Sequence, residues 1–247
     1  MEVEEGKWTI YGVSEDDPEC LHTVDEAIAY INEIGFLPFF RNAIPGFSLE
    51  ERTVADYWWS GDTDRDPWEW RAEIARRGQI AYGKFFDKKA GFISQKWLPY
   101  FVNFRRDGYD FDALWEDGKA SRRQKKIMDL FSEENVDSEL FSFEVKQQAG
   151  FGKGGEKNFE GTVTELEMKL YLLNRDFRQR LNKRGEAYGW AIAVYATPEH
   201  MFGYDAVTSA YKESPAESRK RIVDYLNDIY PIATEKQIEK VIGKLVR

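Results

Sequence analysis

Apolar residues in several parts of the chain recur every three or four positions, which is the spacing of one face of a helix. The first such segment starts at a capping box, "TVDE" (residues 23–26), and ends at Gly35. The prolines of "FLPFFRNAIPGF" (residues 36–47) predict apolar chain without regular structure. A second helix is then expected from Ser48 to about Trp59.

The next segment predicts a helix followed by a β-hairpin. The helical pattern ends at Gly78, and "QIAYGKFF" (residues 79–86) and "GFISQKWL" (residues 91–98) are rich in residues that favour strands. We expect an antiparallel hairpin with Lys88 and Lys89 at its exposed tip. With the preceding helix, this hairpin has the outline of a winged helix.

A second unit of the same kind follows. Residues 121–133 predict a helix with its basic residues outward, residues 138–150 a short helix, and residues 151–170 a glycine turn and a longer helix. Residues 171–196 then predict two strands around the turn at 182–185. Helix, turn, helix and hairpin in this order describe a complete winged helix.

We therefore expect an α+β fold that is mostly helical and contains tandem winged-helix-like units with β-hairpin wings. Residues 1–118 would form an N-terminal helical region with the first unit, and residues 119–200 the second winged helix. Residues 201–247 would form C-terminal helices packed on the rest, starting at Ser214 and Thr234, which both fit helix caps.

Composition favours a cytoplasmic protein. Of the 247 residues, 42% are hydrophobic and 32% are charged. No apolar run approaches the roughly 20 residues that a membrane span needs, and the first residues lack the pattern of a signal peptide. The single cysteine, Cys20, excludes an internal disulfide and a cysteine-rich zinc site.

The net charge of −9 is unevenly distributed. Residues 1–70 carry 4 basic and 17 acidic side chains, residues 71–126 carry 14 and 7, and residues 127–247 carry 17 and 20. The three parts therefore have net charges of −13, +7 and −3. A polyanion responds to the local field, so the basic middle part is compatible with nucleic-acid binding, although a solvated surface would produce the same asymmetry.

The alternating aspartates of "DYWWSGDTDRDPWEWR" resemble the start of a calcium loop. Asp62, Asp64 and Asp66 would be ligands one, three and five of such a loop, and Glu73 would be the twelfth. The sixth position needs a glycine for its sharp turn, but Pro67 stands there with its φ locked. We therefore expect no bound metal, and an acidic turn that caps the following helix.

The four tryptophans of the same stretch have two interpretations. Tryptophan can stack on an exposed base, but it is also a large core residue, and core packing is the favoured interpretation. Trp68 and Trp70 are expected to be mostly buried. Trp58 and Trp59 are the candidates for the wall of a cleft.

Basic residues cluster on the elements that a winged helix presents to DNA. "GFGKGGEK" (residues 150–157) lacks the ending of a phosphate-binding P-loop and predicts a turn before a recognition helix. "RDFRQRLNKR" (residues 175–184) places mobile cations in a strand and a wing tip, unless this is merely a solvated hairpin. The candidate DNA-binding residues are Lys88, Lys89, Arg122, Arg123, Lys153, Lys157, Arg178, Arg180, Lys183 and Arg184.

Catalytic signatures are absent from the sequence. Nothing resembles a nucleophile elbow, a zinc-protease helix or a dinucleotide fingerprint, so no cofactor is expected and the catalytic residues stay unassigned. His22 and His200 are isolated along the chain.

"DPWEWR" followed by "GQIAYGKFFDKKAGFISQKWLP" resembles a segment of the AlkZ (YcaQ-type) winged-helix DNA glycosylases. The resemblance covers residues 55–110 and implies tandem winged helices that bind double-stranded DNA and excise alkylated or crosslinked bases. The family's catalytic motif is a Gln-apolar-Gln or Gln-apolar-Asp triplet near the N-terminus. The corresponding region here, "GFLPFFRNAIPGF", contains neither triplet, and Asn42 and Asp56 are the nearest polar candidates.

These observations predict a winged-helix protein that binds duplex DNA and is linked to base repair, without an identifiable catalytic motif. Two alternatives stay open. One is an active DNA glycosylase for alkylated bases, with a non-standard carboxylate in a cleft near the tryptophan-rich stretch. The other is a winged-helix module for protein–protein contact, which would use the acidic first 70 residues.

Overall fold

Two three-stranded antiparallel sheets and the helices around them organise the α+β fold. The computed structural model describes residues 2–4, 7–132 and 139–244. The helices are α1 Val24–Ile34, α2 Pro67–Arg77, α3 Leu98–Arg106, α4 Phe111–Glu116, α5 Arg122–Met128, α6 Ser142–Gln148, α7 Phe159–Met168, α8 Pro198–Phe202, α9 Tyr204–Val207, α10 Pro215–Ile229 and α11 Glu235–Ile242. The strands are β1 Glu2–Glu4, β2 Lys7–Thr9, β3 Phe36–Pro38, β4 Ile80–Phe86, β5 Lys89–Ser94, β6 Leu140–Phe141, β7 Leu173–Leu181 and β8 Ala187–Ala196. Within the described ranges, no helix has the length and apolar character needed to cross a membrane.

The same order of elements occurs twice. The first unit (residues 24–94) runs α1, β3, short 3₁₀ turns, α2, β4 and β5, and its strands lie in the order β3-β5-β4. The second unit (residues 122–196) runs α5, β6, α6, α7, β7 and β8, and its strands lie in the order β6-β8-β7. In each unit the short strand therefore pairs with the last strand of the hairpin.

The helix ends predicted from local sequence are confirmed. The side chains of Thr23, Ser214 and Thr234 each accept a hydrogen bond from the amide three residues ahead. Gly78 ends α2 in the left-handed conformation, at a φ of 66°. These signals act within one turn of helix, so they can be recognised in the sequence alone.

The first hairpin is confirmed with a shorter second strand. Asp87 and Lys88 form the turn with φ values of 50° and 62°, and the flanking Phe86 pairs with Lys89. Two successive positive φ values are typical of the two-residue turn that matches the twist of a hairpin. The expected strand over residues 91–98 ends at Ser94, because the chain turns there into α3, where proline occupies the first turn.

The expected helix from Ser48 to Trp59 is wrong. The segment forms two 3₁₀ turns, Glu50–Arg52 and Ala55–Tyr57. The buried Glu50 carboxylate accepts hydrogen bonds from the amides of Tyr11 and Arg41, both at 2.9 Å. This side chain is tied to distant backbone, and its contacts therefore fix the segment in a non-helical path.

Two further expectations need correction. β3 is a short edge strand where irregular chain was expected, and its Pro38 pairs with Gly91. Proline is tolerated there because an edge strand bonds to a neighbour on one side only. The helix expected over residues 121–133 is α-helical only to Met128 and continues as a 3₁₀ turn to Phe131, while residue 133 lies outside the described residues.

The buried apolar side chains form two clusters. The first contains Phe36 and Phe101 together with Leu226 of α10, so the C-terminal helices share the core of the first unit. The second contains Val163 and Leu172 of the second unit. Buried apolar area is the main source of stability in both, and each cluster fixes one hairpin relative to its helices.

Arginines from outside each unit bind the helix ends of α2 and α7: Arg175 comes from the second unit, and Arg105 and Arg106 come from α3, which directly follows the first unit. Arg175 of β7 donates from Nη1 to the carbonyls of Ala75 and Arg76 at 3.0 and 2.8 Å, at the end of α2. Arg105 and Arg106 of α3 donate to the carbonyls of Met168 and Leu170 at 2.7 and 2.6 Å, at the end of α7. The last carbonyls of a helix lack partners within it, so these arginines satisfy them and tie the units together.

Replacement of Arg175 by Met should lower the free energy of unfolding by about 1–3 kcal/mol, because the carbonyls at the end of α2 lose a charged donor and Glu139 loses its ion-pair partner at 3.0 Å. Urea denaturation of the two proteins measures the difference. Arg184→Met provides the matched control, since Arg184 is exposed and the change should stay within about 0.5 kcal/mol. Equal effects of the two substitutions would contradict a stabilising role for the contact.

Candidate nucleic-acid interface

A cleft of about 640 Å³ lies between the hairpins of the two units. Aromatic rings form much of its wall, together with one arginine, three lysines and an asparagine. None of the described carboxylate side chains lines it. The lining residues are Phe40, Trp68, Arg71, Tyr82, Gly83, Lys84, Lys88, Lys89, Ala90, Asn174, Phe177, Ala193 and Tyr195.

The tryptophans of the stretch at 56–71 divide between core and cleft. Trp70 is buried and Trp68 is largely buried, which confirms the expectation for this pair. Trp68 is the tryptophan that lines the cleft, whereas Trp58 and Trp59, the sequence-based candidates, do not. Trp58 lies in the core with its Nε1 donating to Thr53 Oγ1 at 3.0 Å, and Trp59 is 43% exposed.

The acidic turn caps α2, as the sequence predicts. The Asp66 carboxylate accepts from the amides of Trp59, Gly61 and Trp68 at 3.1, 3.3 and 2.9 Å. These bonds occupy both of its oxygens. Among the described residues there is no group of three or more side chains of the metal-ligating kinds placed to hold an ion.

Arg71 is held rigidly in the cleft wall. Its guanidinium lies 3.6 Å from the centre of the Trp68 ring and 4.7 Å from that of Phe177. Burial lowers the pKa of this side chain, although the nearby carboxylates of Glu69 and Asp66 act in the opposite direction. No ion pair joins Arg71 to any described residue, so its charge is not neutralised by direct contact.

Glu167 lies behind the cleft, fully buried on α7. Its Oε1 accepts from the Lys84 amide at 3.4 Å and from Asn174 Nδ2, and Lys84 and Asn174 both line the cleft. Its Oε2 has no hydrogen-bond partner among the described residues. Burial raises the pKa of this carboxyl from 4.5 to about 7. In the sequence Glu167 is one of several glutamates of a helix, and nothing marks it.

Lys88 and Lys89 are exposed at the tip of the first hairpin, as expected, and both line the cleft. The tip lies against the second unit, because the Lys88 amide is 3.3 Å from the sulphur of Met168. Neither lysine forms an ion pair with a described residue. The tip therefore presents two uncompensated cations beside α7.

The glycine turn and α5 carry a second group of the predicted cations. Lys153 and Lys157 are exposed and form no ion pair with a described residue, and the same holds for Arg122. Arg123 lies 3.5 Å from Glu156. Its charge is therefore partly neutralised, whereas the turn itself keeps two unpaired lysines.

The outer half of the second hairpin, residues 178–191, is exposed at every position, and we call it the arm. Arg178 is paired with Asp176 at 2.7 Å and Glu139 at 2.6 Å, and Arg180 lies over the Phe143 ring at 4.1 Å. Lys183 and Arg184 at the turn form no ion pair with a described residue. The arm also carries Trp190, which is 93% exposed and was not singled out in the sequence.

The sequence model of one family, described as AlkZ related, matches residues 21–243. The chain belongs to the AlkZ-related family. No match was found among curated proteins or among solved structures. The resemblance noted over residues 55–110 is thereby confirmed, and the family match extends it across both units and the C-terminal helices.

In this AlkZ-related chain, the segment expected to carry a catalytic triplet contributes Phe40 to the cleft. Asn42 is occupied in the turn, donating to the Phe47 carbonyl at 2.6 Å and accepting from the Ile44 amide at 2.9 Å. Asp56 is exposed and does not line the cleft. Glu167 bonds two residues of the cleft wall, Lys84 and Asn174, but does not itself line the cleft.

Replacement of Glu167 by Gln should stabilise the protein at pH 8 and have little effect near pH 4.5. Because the folded-state pKa is raised, the neutral carboxyl is the form that the fold favours, and its contribution is lost as the pH rises from 4.5 to about 7. Above pH 7, the free energy of unfolding of the Glu167→Gln protein should exceed that of the natural protein by up to about 3 kcal/mol. Urea unfolding at both pH values measures it.

Glu165→Gln is the matched control, since Glu165 lies on the same helix, is exposed, and its hydrogen bond from Gln124 Nε2 at 3.1 Å can be accepted by the amide oxygen of Gln as well. Its effect should stay within about 0.5 kcal/mol at both pH values. A Glu167→Gln protein that lost stability at pH 8 would contradict the burial of a charged group as the cause.

Proposed function

We propose that the protein binds duplex DNA through two winged-helix units and acts in base repair in the cytoplasm. The order of elements in both units supports this proposal, because a helix, a strand, a helical segment, a second helix and a hairpin follow one another as they would in a winged helix. The short strand pairs with the last strand in both. In this proposal the division at residues 1–118, 119–200 and 201–247 separates the two units from the C-terminal helices.

The arm is the observation that carries this proposal. Every residue from 178 to 191 is exposed, so this stretch of two paired strands projects without a core of its own. Its turn carries Lys183 and Arg184, which have no carboxylate partner among the described residues. Unpaired cations on a projecting element are suited to contacts with phosphates, which position a protein on a duplex without reading its sequence.

The glycine turn before α7 supports the same interpretation. Lys153 and Lys157 are exposed and unpaired there, at the start of the helix that would meet DNA in the second unit. The net charge of −9 does not oppose this, since 17 of the 44 acidic residues lie in the first 70 positions. Membership of the AlkZ-related family supports the link to repair.

Affinity for duplex DNA should fall steeply with salt. If Lys153, Lys157, Lys183 and Arg184 each neutralise one phosphate, the log–log slope of affinity against salt should be about −3.6. The variant with all four replaced by Ala should weaken binding to every sequence alike and lose most of this slope. Fluorescence anisotropy over a salt series measures both.

A matched control replaces Lys212, Lys220, Lys236 and Lys244, which lie outside both units, by Ala. This control carries the same change of charge and should keep the slope. Absence of binding at about 50 mM salt, where the electrostatic contribution is large, would reject the proposal and favour a protein-contact module.

A glycosylase is the second candidate, and the position of Glu167 is the observation that favours it. This carboxyl has a raised pKa and bonds two residues of the cleft wall, Lys84 and Asn174. It is fully buried, however, and does not itself line the cleft. We therefore expect the protein to bind without cleaving bases.

Incubation with alkylated duplex DNA should leave no alkali-labile abasic sites above those of a protein-free sample. Strand cleavage after alkali treatment, resolved on a denaturing gel, measures this. Abasic sites that form with the natural protein and not with Glu167→Gln would instead support the glycosylase and assign Glu167 to it.

A further inference from the structure

The cleft between the two hairpins differs in charge from the molecule as a whole. The chain has a net charge of −9, yet the described side chains that line the cleft include four cations and no carboxylate. Arg71 and the lysines at 84, 88 and 89 form no ion pair with any described residue. Their charges therefore remain available to an anion.

The same cleft offers flat apolar surfaces at several sides. Phe40, Trp68, Phe177 and Tyr195 all line it. Rings of this kind stack on planar ligands, and nucleobases are planar whatever their identity. A volume of about 640 Å³ lies within the range of about 300–1,000 Å³ that small-molecule sites occupy.

Arg71 joins these two properties at one place. Its guanidinium is held between the rings of Trp68 and Phe177, at 3.6 and 4.7 Å. This leaves a rigid cation beside aromatic surface, and a guanidinium forms paired hydrogen bonds with phosphate oxygens. Little side-chain freedom would be lost when an anion binds.

Asn174 adds a polar contact of defined direction. Its Nδ2 donates to Oε1 of the buried Glu167, whereas its Oδ1 accepts no hydrogen bond from a described residue. Oδ1 is an acceptor and would pair with an amino group such as those on the edges of adenine or cytosine. Glu167 thus acts as a positioning residue for the amide.

We propose that this cleft binds one nucleotide, with the base between the aromatic side chains and the phosphate on Arg71 and the neighbouring lysines. The inference rests on the proposed function, because the ligand would be an unpaired nucleotide turned out of a DNA duplex that the protein binds. A free nucleotide has the same chemistry, and the experiment separates the two sources.

Anisotropy should be measured with two labelled duplexes that differ by one unpaired adenosine. The natural protein should bind the duplex with the unpaired adenosine about tenfold more tightly, because one additional base is stacked. Arg71→Met should remove this preference, because methionine keeps the apolar stem of the side chain but lacks the guanidinium. Lys183→Ala, on the arm, should weaken binding to both duplexes and keep their ratio.

Lys84→Met serves as a second cleft variant if Arg71→Met does not fold, as judged by its thermal unfolding. In a parallel titration, deoxyadenosine monophosphate is added and tryptophan fluorescence is followed, since Trp68 forms part of the wall. Binding of this nucleotide that is lost in the cleft variants, without a preference between the duplexes, would assign the site to free nucleotides.

The inference is overturned if the duplexes bind equally and deoxyadenosine monophosphate does not bind. It is also overturned if the preference for the unpaired adenosine survives in both cleft variants. Failure to bind any duplex would instead reject the proposed function. The titration with deoxyadenosine monophosphate would then still show whether the cleft binds a nucleotide.

Discussion

The arginine contacts at the ends of α2 and α7 are the constraint on which the arrangement of the two units depends. Each of these helices ends with carbonyls that need donors, and the donors come from outside its own unit: Arg175 of the second unit for α2, and Arg105 and Arg106 of α3, which directly follows the first unit, for α7. Arg105 also donates to the Phe85 carbonyl at 2.9 Å, so one buried guanidinium holds a strand of the first unit and a helix of the second. Burial lowers the pKa of Arg105 to about 10, which leaves it charged near neutral pH.

These contacts between the units determine which surfaces remain accessible. α2 meets β7 through an ion pair of Arg76 with Asp176 at 3.2 Å, and α7 meets β4 through a hydrogen bond of Lys84 with Thr164 at 3.3 Å. Part of each helix that precedes a hairpin is thus used for contact between the units. The arm, the glycine turn and the cleft between the hairpins remain accessible to another molecule.

Local signals account for what could be predicted from the sequence. The caps at Thr23, Ser214 and Thr234 and the hairpin turn at Lys88 depend on residues within one turn of chain, and all are present. The helix expected after Ser48 failed because Glu50 is bound by amides distant in sequence. The cleft could not be predicted from local sequence for the same reason. Arg71 and Asn174, for example, are 103 positions apart, and the packing of the two units brings them together.

Glu167 explains how the cleft keeps its positive character beside a carboxyl. A charged carboxylate behind Lys84 and Asn174 would offset part of the field of the cleft cations. Burial raises its pKa to about 7, so near neutral pH a large share of the molecules carry a neutral carboxyl at this place. The neutral form still accepts through Oε1, so the Asn174 amide keeps its orientation while the cations stay uncompensated. The packing that makes a charge costly at Glu167 therefore also preserves the affinity of the cleft for an anion.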